Sequence, residues 1–413
     1  MKLALFGFGT VGQAAARLLL DVPGLTLTHI FNRQVARKRV DWLPAGVTWT
    51  EDIDEVFASR PDIVVELVGG RDPAGRWVRR ALESGAHVVT ANKQLIAHEA
   101  DDLLAIAAAH GRQLAFEASV AGGIPVIRAI RDGLAADRIT RVSGILNGTC
   151  NFILTRMAEE GLAFDAALAQ AQAGGFAEAD PTDDLDGYDA RAKLCVLTRV
   201  ALLRAVRPDG ITCRSIRPLA DIDFIYAERL GCTIRQVSRA DLPPDGGSLV
   251  AWVGPALVRR DSAMAGVSRN QNMVITTGVN GGDVAFSGFG AGGGPTAVAV
   301  VSDAIAVARG DMSATADGVG PLPAPPVTDR FPSPYYVRFV VDDRPGIVAA
   351  LANELAAEQI NIDALLQEPA RDKAALPFVV TLEECDPAAL TRALERIASL
   401  DFHRRPPLAL PML

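Results

Sequence analysis

The string Gly7-Phe8-Gly9-Thr10-Val11-Gly12 constrains the fold of this chain more than any other feature, because of where it stands. It follows a short apolar run, Lys2–Phe6, and opens an alanine- and leucine-rich stretch that reaches Leu20. GxGxxG alone is a common glycine turn. Between a first strand and a first helix it is a dinucleotide fingerprint. The glycines let the backbone approach a pyrophosphate, and the helix N-terminus supplies free N–H groups and a partial positive charge. Further buried strands are predicted at 25–31, 63–67, 87–89 and 113–116, with a helix at 103–109. Strands alternating with helices predict an α/β fold with a Rossmann-type, doubly wound parallel sheet.

The texture changes after about residue 128. Strands are predicted at 140–146, 249–253, 274–277 and 284–286, and helices at 151–160, 165–174, 188–203 and 296–309. This reads as a central α+β domain for substrate binding and dimerisation. Residues 317–334 carry six prolines, so the segment is expected to stay out of any sheet and to act as a semi-rigid linker to an independent unit. From residue 335 a β-α-β-β-α pattern restarts, with a weak final strand. The expected division is 1–127, 128–316, 317–334 and 335–405, with the helix at 296–309 able to pack back on the first domain.

Composition excludes several classes. A net charge of −8 with no long basic run argues against nucleic-acid or anionic-membrane binding. The five cysteines are scattered without a CxxC, so a disulfide framework or zinc ribbon is not expected. No uncharged apolar stretch approaches ~20 residues, so no membrane span is expected. The strand at Lys2 leaves no room for a signal peptide, and a reducing, cytoplasmic setting is expected.

The chemistry is concentrated at 171–193, AQAGGFAEADPTDDLDGYDARAK. This run packs Glu178, Asp180, Asp183, Asp184, Asp186 and Asp189 ahead of Lys193. A second lysine, Lys93, closes the string Thr90-Ala91-Asn92-Lys93 at the carboxyl edge of a predicted strand, where such sheets bind ligands. Carboxylates can hold an amino group, and lysines can donate a proton. With a nicotinamide site, they point to a dehydrogenase acting on a small amino-acid-like carbonyl compound. A bare DxxxK is ordinarily a surface i,i+4 ion pair, and an acidic cluster is ordinarily a solvated loop.

The run resembles the signature of homoserine dehydrogenase at Ala171, Gly175, Phe176, Ala177, Asp180-Pro181, Asp184-Leu185, Gly187, Asp189 and Lys193. The resemblance extends in order through GFGTVG, TANK, residues 117–124, NGTCNFIL at 147–154 and GFGAGGGPTA at 288–297. The C-terminal segment resembles an ACT domain, with a ferredoxin-like fold. Departures are the stretch 261–272 and Arg235, where many members have lysine. The resemblance implies reversible reduction of L-aspartate 4-semialdehyde to L-homoserine in threonine and methionine biosynthesis. It implies Lys193 as proton donor and Asp189 and Lys93 beside it, with Glu178 and Asp184 as further substrate residues. It puts the cofactor against Gly7, Phe8, Gly9, Thr10, Val11, Gly12, Thr90, Lys93, Gly175, Glu178, Gly290 and Gly292. It also implies a monovalent cation such as Na⁺ at Glu117, Val120, Gly122 and Ile124, held mostly by carbonyls. Threonine at the ACT domain and a homodimer or homotetramer complete what it implies.

Cofactor choice is partly readable. NAD enzymes usually end the second strand in Asp or Glu, to bind the ribose 2′-OH. Here the position reads Phe31-Asn32-Arg33, with Arg37, Lys38 and Arg39 close behind, so NADP is expected and NAD is the alternative. Two other functions are competing readings. Aspartate-semialdehyde dehydrogenase would need an activated cysteine, for which Cys150 is the candidate. A catalytically degenerate amino-acid sensor would use only the ACT-like unit. No fused aspartate kinase is expected ahead of the nucleotide-binding strand.

Overall fold

The computed structural model of this chain describes residues 1–244, 246–311, 321–368 and 375–413. Six strands, β1 (Lys2–Phe6), β2 (Thr26–Phe31), β3 (Thr48–Thr50), β4 (Ile63–Glu66), β5 (His87–Thr90) and β6 (Leu114–Ala115), form a parallel sheet in the order β3-β2-β1-β4-β5-β6. Strands covered by helices on both faces are buried throughout, as all of β4 is. The order reverses at β1, which opens a crevice beyond the carboxyl ends of β1 and β4. One face of this sheet shares a core with two helices, Thr10–Leu19 and the much later Gly293–Arg309. Leu5, Ala15 and Leu19 there lie in one cluster with Val300, Ala304 and Val307.

The second sheet is mixed. It contains β7 (Ile139–Ile145), β8 (Thr212–Cys213), β9 (Cys232–Asp241), β10 (Leu249–Arg259), β11 (Gln271–Gly278), β12 (Gly282–Phe289) and β13 (Val327–Thr328). Its main path runs β12-β11-β7-β9-β10-β13, with β8 also on β10. The sequence reading had no strand at β9, and the reason is physical. β9 is buried on both faces, so Arg235, Gln236 and Ser238 lie inside and no apolar–polar alternation survives. The Asp221–Arg229 helix was also missed.

The proline-rich segment departs from its expectation. Val327 and Thr328 pair in parallel with Leu249 and Val250, and the carbonyls of Pro323 and Pro326 accept from the N–H groups of Ala205 and Leu249. Proline loses its N–H but keeps its carbonyl, and the two residues after Pro326 restore the donors. Residues 317–320 of that segment, and 312–316 of the preceding one, lie outside the described residues.

The third sheet is antiparallel, in the order β15-β16-β14-β17: β14 (Ser333–Val341), β15 (Ile362–Gln367), β16 (Leu376–Cys385) and β17 (His403–Pro411). With the helices Ile347–Ala357 and Pro387–Ala398 it makes the ferredoxin-like arrangement. Alternation along β14 divides its side chains between two cores. Tyr335, Val337, Phe339 and Val341 pack on the two helices. Tyr336 packs with Val379 and Leu410 against Phe224, Tyr226 and the 148–160 region of the central domain. This face also carries a buried ion pair, Arg338 with Asp223, and Tyr336 Oη donates to Asp223 at 2.7 Å. The unit is therefore docked on the second sheet and its helices, not merely tethered to them. Met412 then bridges to Leu257 at the end of β10. Among the described residues no helix is long and apolar enough to cross a membrane.

Candidate active site

The glycine string forms the cradle its pattern predicts. A Cβ on Gly7, whose φ is +92°, would lie 2.8 Å from the Leu67 carbonyl oxygen, and one on Gly12 would lie 2.4 Å from the Gly7 oxygen. These two glycines let strand, turn and helix close on one another. Gly9 faces open space, so its backbone is free for a phosphate to approach. The Thr10–Leu19 helix begins without a side-chain cap or an acidic residue in its first turn. The Gly293–Arg309 helix likewise begins uncapped, and a Cβ on Gly293 would touch Thr10 at 2.9 Å. Two helix N-termini thus meet at one point, which suits a pyrophosphate. Phe8 turns into the core between Trp42 and Trp49.

A cavity of about 340 Å³ lies over this cradle, lined by Gly7, Phe8, Gly9, Asn32, Arg33 and Lys38, among others. Asn32 occupies the end of β2 and caps its own turn, its Oδ1 accepting from Gln34 N at 3.0 Å. Arg37 is not among the residues lining this cavity and instead bonds Gln34 at 3.4 Å.

Beyond Val11 a second cavity, of about 480 Å³, collects Lys93, Asn147, Thr149, Gly175, Asp184, Asp189, Lys193, Gly290, Gly292 and further residues. Residues distant in sequence meet here because three elements point their ends at it. Lys93 opens the helix Lys93–Ala109, whose cap, Asn92, accepts from Leu95 N at 3.1 Å and donates to the Gly70 carbonyl at 2.6 Å. Thr90, on the strand before it, is buried with its hydroxyl on Glu66 Oε2 at 2.6 Å. Asp189 and Lys193 lie one turn apart on the helix Tyr188–Leu202.

Asp189 is the centre of the site. Its Oδ1 meets Lys93 Nζ at 2.9 Å and its Oδ2 meets Lys193 Nζ at 2.7 Å. Burial alone would raise its carboxyl, yet the two ammonium groups beside it hold it well below the usual carboxylate range. Asp189 in turn raises the Lys93 ammonium against the opposite pull of burial. Lys193 is almost wholly buried and also donates to the Leu146 carbonyl at 2.8 Å. An ammonium has three N–H groups, so with two engaged one remains for a ligand oxygen. Burial raises the Asp184 carboxyl above its ordinary value, and a hydrogen bond from Asn147 opposes that rise.

Most other predicted residues fall outside this cavity. Glu178 is exposed, outside the residues lining the cavity, and its carbonyl accepts from Gln172 Nε2 at 3.1 Å. Asp180 shapes its own turn through Thr182, and Asp186 holds Ser215 and Arg217. Glu117 is buried, and its carboxylate accepts from Ile127 N at 2.7 Å and Arg128 N at 2.9 Å. Burial, reinforced by Asp303, pushes it up to about 7. Its carbonyl and that of Ile124 each already accept one backbone N–H, from Val120 and Val126, while Val120 itself is a core side chain and Gly122 lines the larger cavity. Cys150 is fully buried, donates to the Asp184 carbonyl at 3.1 Å, and has its thiol pushed well upward by burial. A thiolate nucleophile is disfavoured there. Sequence reasoning gave no role to Asn147 or the Leu146 carbonyl. Asn147 stood only inside the string NGTCNFIL, where an asparagine ahead of Gly148 is also a helix-capping residue type.

Three family models cover the chain: "Homoserine dehydrogenase, NAD binding domain" over residues 7–117, "Homoserine dehydrogenase" over 125–305, and "ACT domain" over 335–402. The chain is 35% identical to the homoserine dehydrogenase of Synechocystis sp., covering 100% of this chain and 99% of that protein. It is 36% identical to that of Pseudomonas aeruginosa, over 97% and 96% respectively. Among solved structures it is similar to a homoserine dehydrogenase from Thiobacillus denitrificans, with a TM-score of 0.91 at 33% identity over 100% of this chain and 98% of that one. A hyperthermophilic archaeal homoserine dehydrogenase in complex with NADPH matches at a TM-score of 0.65 and 26% identity, over 76% of this chain and 98% of that one. Nothing in the geometry or these matches supports a degenerate sensor.

Proposed function

The chain belongs to the homoserine dehydrogenase family, NAD(P)-dependent oxidoreductases that interconvert L-homoserine and L-aspartate 4-semialdehyde, and on that premise we propose that Lys193 is its proton donor. The observation that carries the reading is Asp189 bridging Lys93 and Lys193 in one cavity. A nicotinamide cofactor held over Gly7, Gly9 and Arg33 would supply hydride to the aldehyde carbon. The remaining N–H of Lys193 meets the carbonyl oxygen, stabilises the charge growing there and passes its proton to the alkoxide. In the reverse direction a neutral Lys193 takes the hydroxyl proton. Lys93, on the other oxygen of Asp189, adds positive charge to the same cavity. Asp184, which shares the Asn147 amide with Asp189, receives the substrate's ammonium group. The Lys193→Ala variant should lose about 10²–10⁴-fold in turnover with cofactor affinity nearly unchanged. Wild-type turnover in that variant would overturn the assignment.

The cofactor is NADP in this reading, because Arg33 and Lys38 line the cradle cavity where a carboxylate would favour NAD. The division into 1–127, 128–316 and 335–405 fits with the Gly293–Arg309 helix serving the first sheet. We assign a two-fold homodimer to the central domain. Its edge strand β12 ends in Phe289, which is half exposed, and Val279 and Val298 are equally bare. Light scattering that found a monomer at micromolar concentration would contradict this. The ACT-like unit takes threonine in this reading. Its helix Ile347–Ala357 starts after Gly346, at φ +91°, with no side-chain cap.

A further inference from the structure

We propose that Asn147 is a positioning residue of this enzyme, whose side-chain amide fixes the two active-site carboxylates Asp184 and Asp189 against each other. Asn147 is 3% exposed and stands at the junction between β7 and the helix Gly148–Glu160. Its Nδ2 donates to Asp184 Oδ1 at 2.6 Å and to Asp189 Oδ2 at 2.8 Å. Its Oδ1 accepts from Cys150 N at 2.8 Å and so caps the helix. The chemistry leaves one orientation for the amide. Only NH₂ can face two carboxylates, and only the carbonyl oxygen can face a backbone N–H.

Both amide hydrogens are therefore committed, one to each acid. Asp189 needs this restraint because its other contacts are two long, flexible lysines. Asp184 needs it because no cation among the described residues pairs with it directly, and its charged surroundings are mixed. Asp189 faces it with like charge, Lys193 and Lys93 with opposite charge, and Asp183 is its chain neighbour. The Thr149 hydroxyl also lies beside it, but its one hydrogen goes to the Phe176 carbonyl at 2.6 Å, and the Cys150 thiol and Gln236 Nε2 approach only its backbone carbonyl. Hydrogen bonds to an ionised carboxylate favour the charged form, so the Asn147 amide holds Asp184 ready for a substrate ammonium. It also sets the carboxylate from which Lys193 is aimed.

Two variants separate this role from helix capping. Asn147→Ser keeps a good capping oxygen but cannot donate to both acids. Asn147→Asp keeps the cap and turns the bridging donor into a third carboxylate. Each would be measured for melting temperature, kcat and KM for homoserine, and the pH profile of kcat/KM. Expected for serine is a melting temperature within a few degrees of wild type, kcat/KM lower by about 10- to 100-fold, and an acid limb moved up by about one unit. Expected for aspartate is a larger upward move of the same limb. A serine variant with wild-type kcat, KM and acid limb would overturn the proposal. If the serine variant did not fold, an aspartate variant with an unmoved limb would overturn it. The inference rests on the reading of this cavity as the homoserine site. A wild type that does not turn over homoserine sinks that reading, whereas an active wild type with indifferent variants sinks only the role of Asn147.

Discussion

The Asp223→Leu substitution tests whether the ACT-like unit is built into the enzyme body. Asp223 is completely buried, and three donors converge on it: the Arg338 guanidinium, Tyr336 Oη at 2.7 Å and Ala220 N at 2.8 Å. Arg338 is 4% exposed and among the described residues has one other partner, the Pro218 carbonyl at 3.0 Å. Removing the carboxylate leaves a buried cation without a counter-ion, which costs about 3–5 kcal/mol in comparable pairs. Losses of that size at the contact between the third sheet and the Asp221–Arg229 helix should lower the first thermal transition by at least about 10 °C for a unit of this size. Calorimetry and urea titration followed by near-UV circular dichroism would measure it. The control is the triple variant Asp223→Leu/Tyr336→Phe/Arg338→Met, which replaces the polar cluster with apolar groups of similar volume and should recover most of the loss. A single variant that costs under about 1 kcal/mol, or a triple variant as damaged as the single, would refute the reasoning. In either case the docking would rest on the apolar contacts of Tyr336, Val379 and Leu410 alone.

Three further outcomes are expected. Arg33→Asp should move coenzyme preference toward NAD in initial-rate assays with both coenzymes, and an unmoved ratio would leave the cation without a role in selection. Millimolar threonine should inhibit the intact enzyme and raise its melting temperature, and if it does neither the ACT-like unit is scaffold. Because Asp189 is held below the usual carboxylate range, its contribution to stability is present above about pH 4 and is lost as pH falls toward its depressed pKa. Asp189→Asn should therefore flatten the acid side of the melting-temperature profile, and an equally steep fall would show that the ion cluster is not responsible.

What the sequence determined by itself is what local geometry enforces. Gly7, Gly9 and Gly12 at that spacing after Lys2–Phe6 leave room for one kind of turn, and the parallel sheet follows from the alternation of apolar runs with helices. Asp189 and Lys193 share a face because a helix turns every 3.6 residues, so their pairing was legible from spacing four. That Lys93 completes the pair by meeting Asp189 at 2.9 Å was not, since only the folded chain brings the start of one helix to the start of another. The same limit hid β9, where Arg235 and Gln236 are buried by neighbours on both faces and the strand carries no alternation to read. It hid the pairing of Val327 and Thr328 with β10, because a rule about proline speaks for each residue and not for the two beside it. Asn147 caps its helix, a local task. Its second task exists only because tertiary packing sets Asp184 and Asp189, from two other helices, within reach of the same amide.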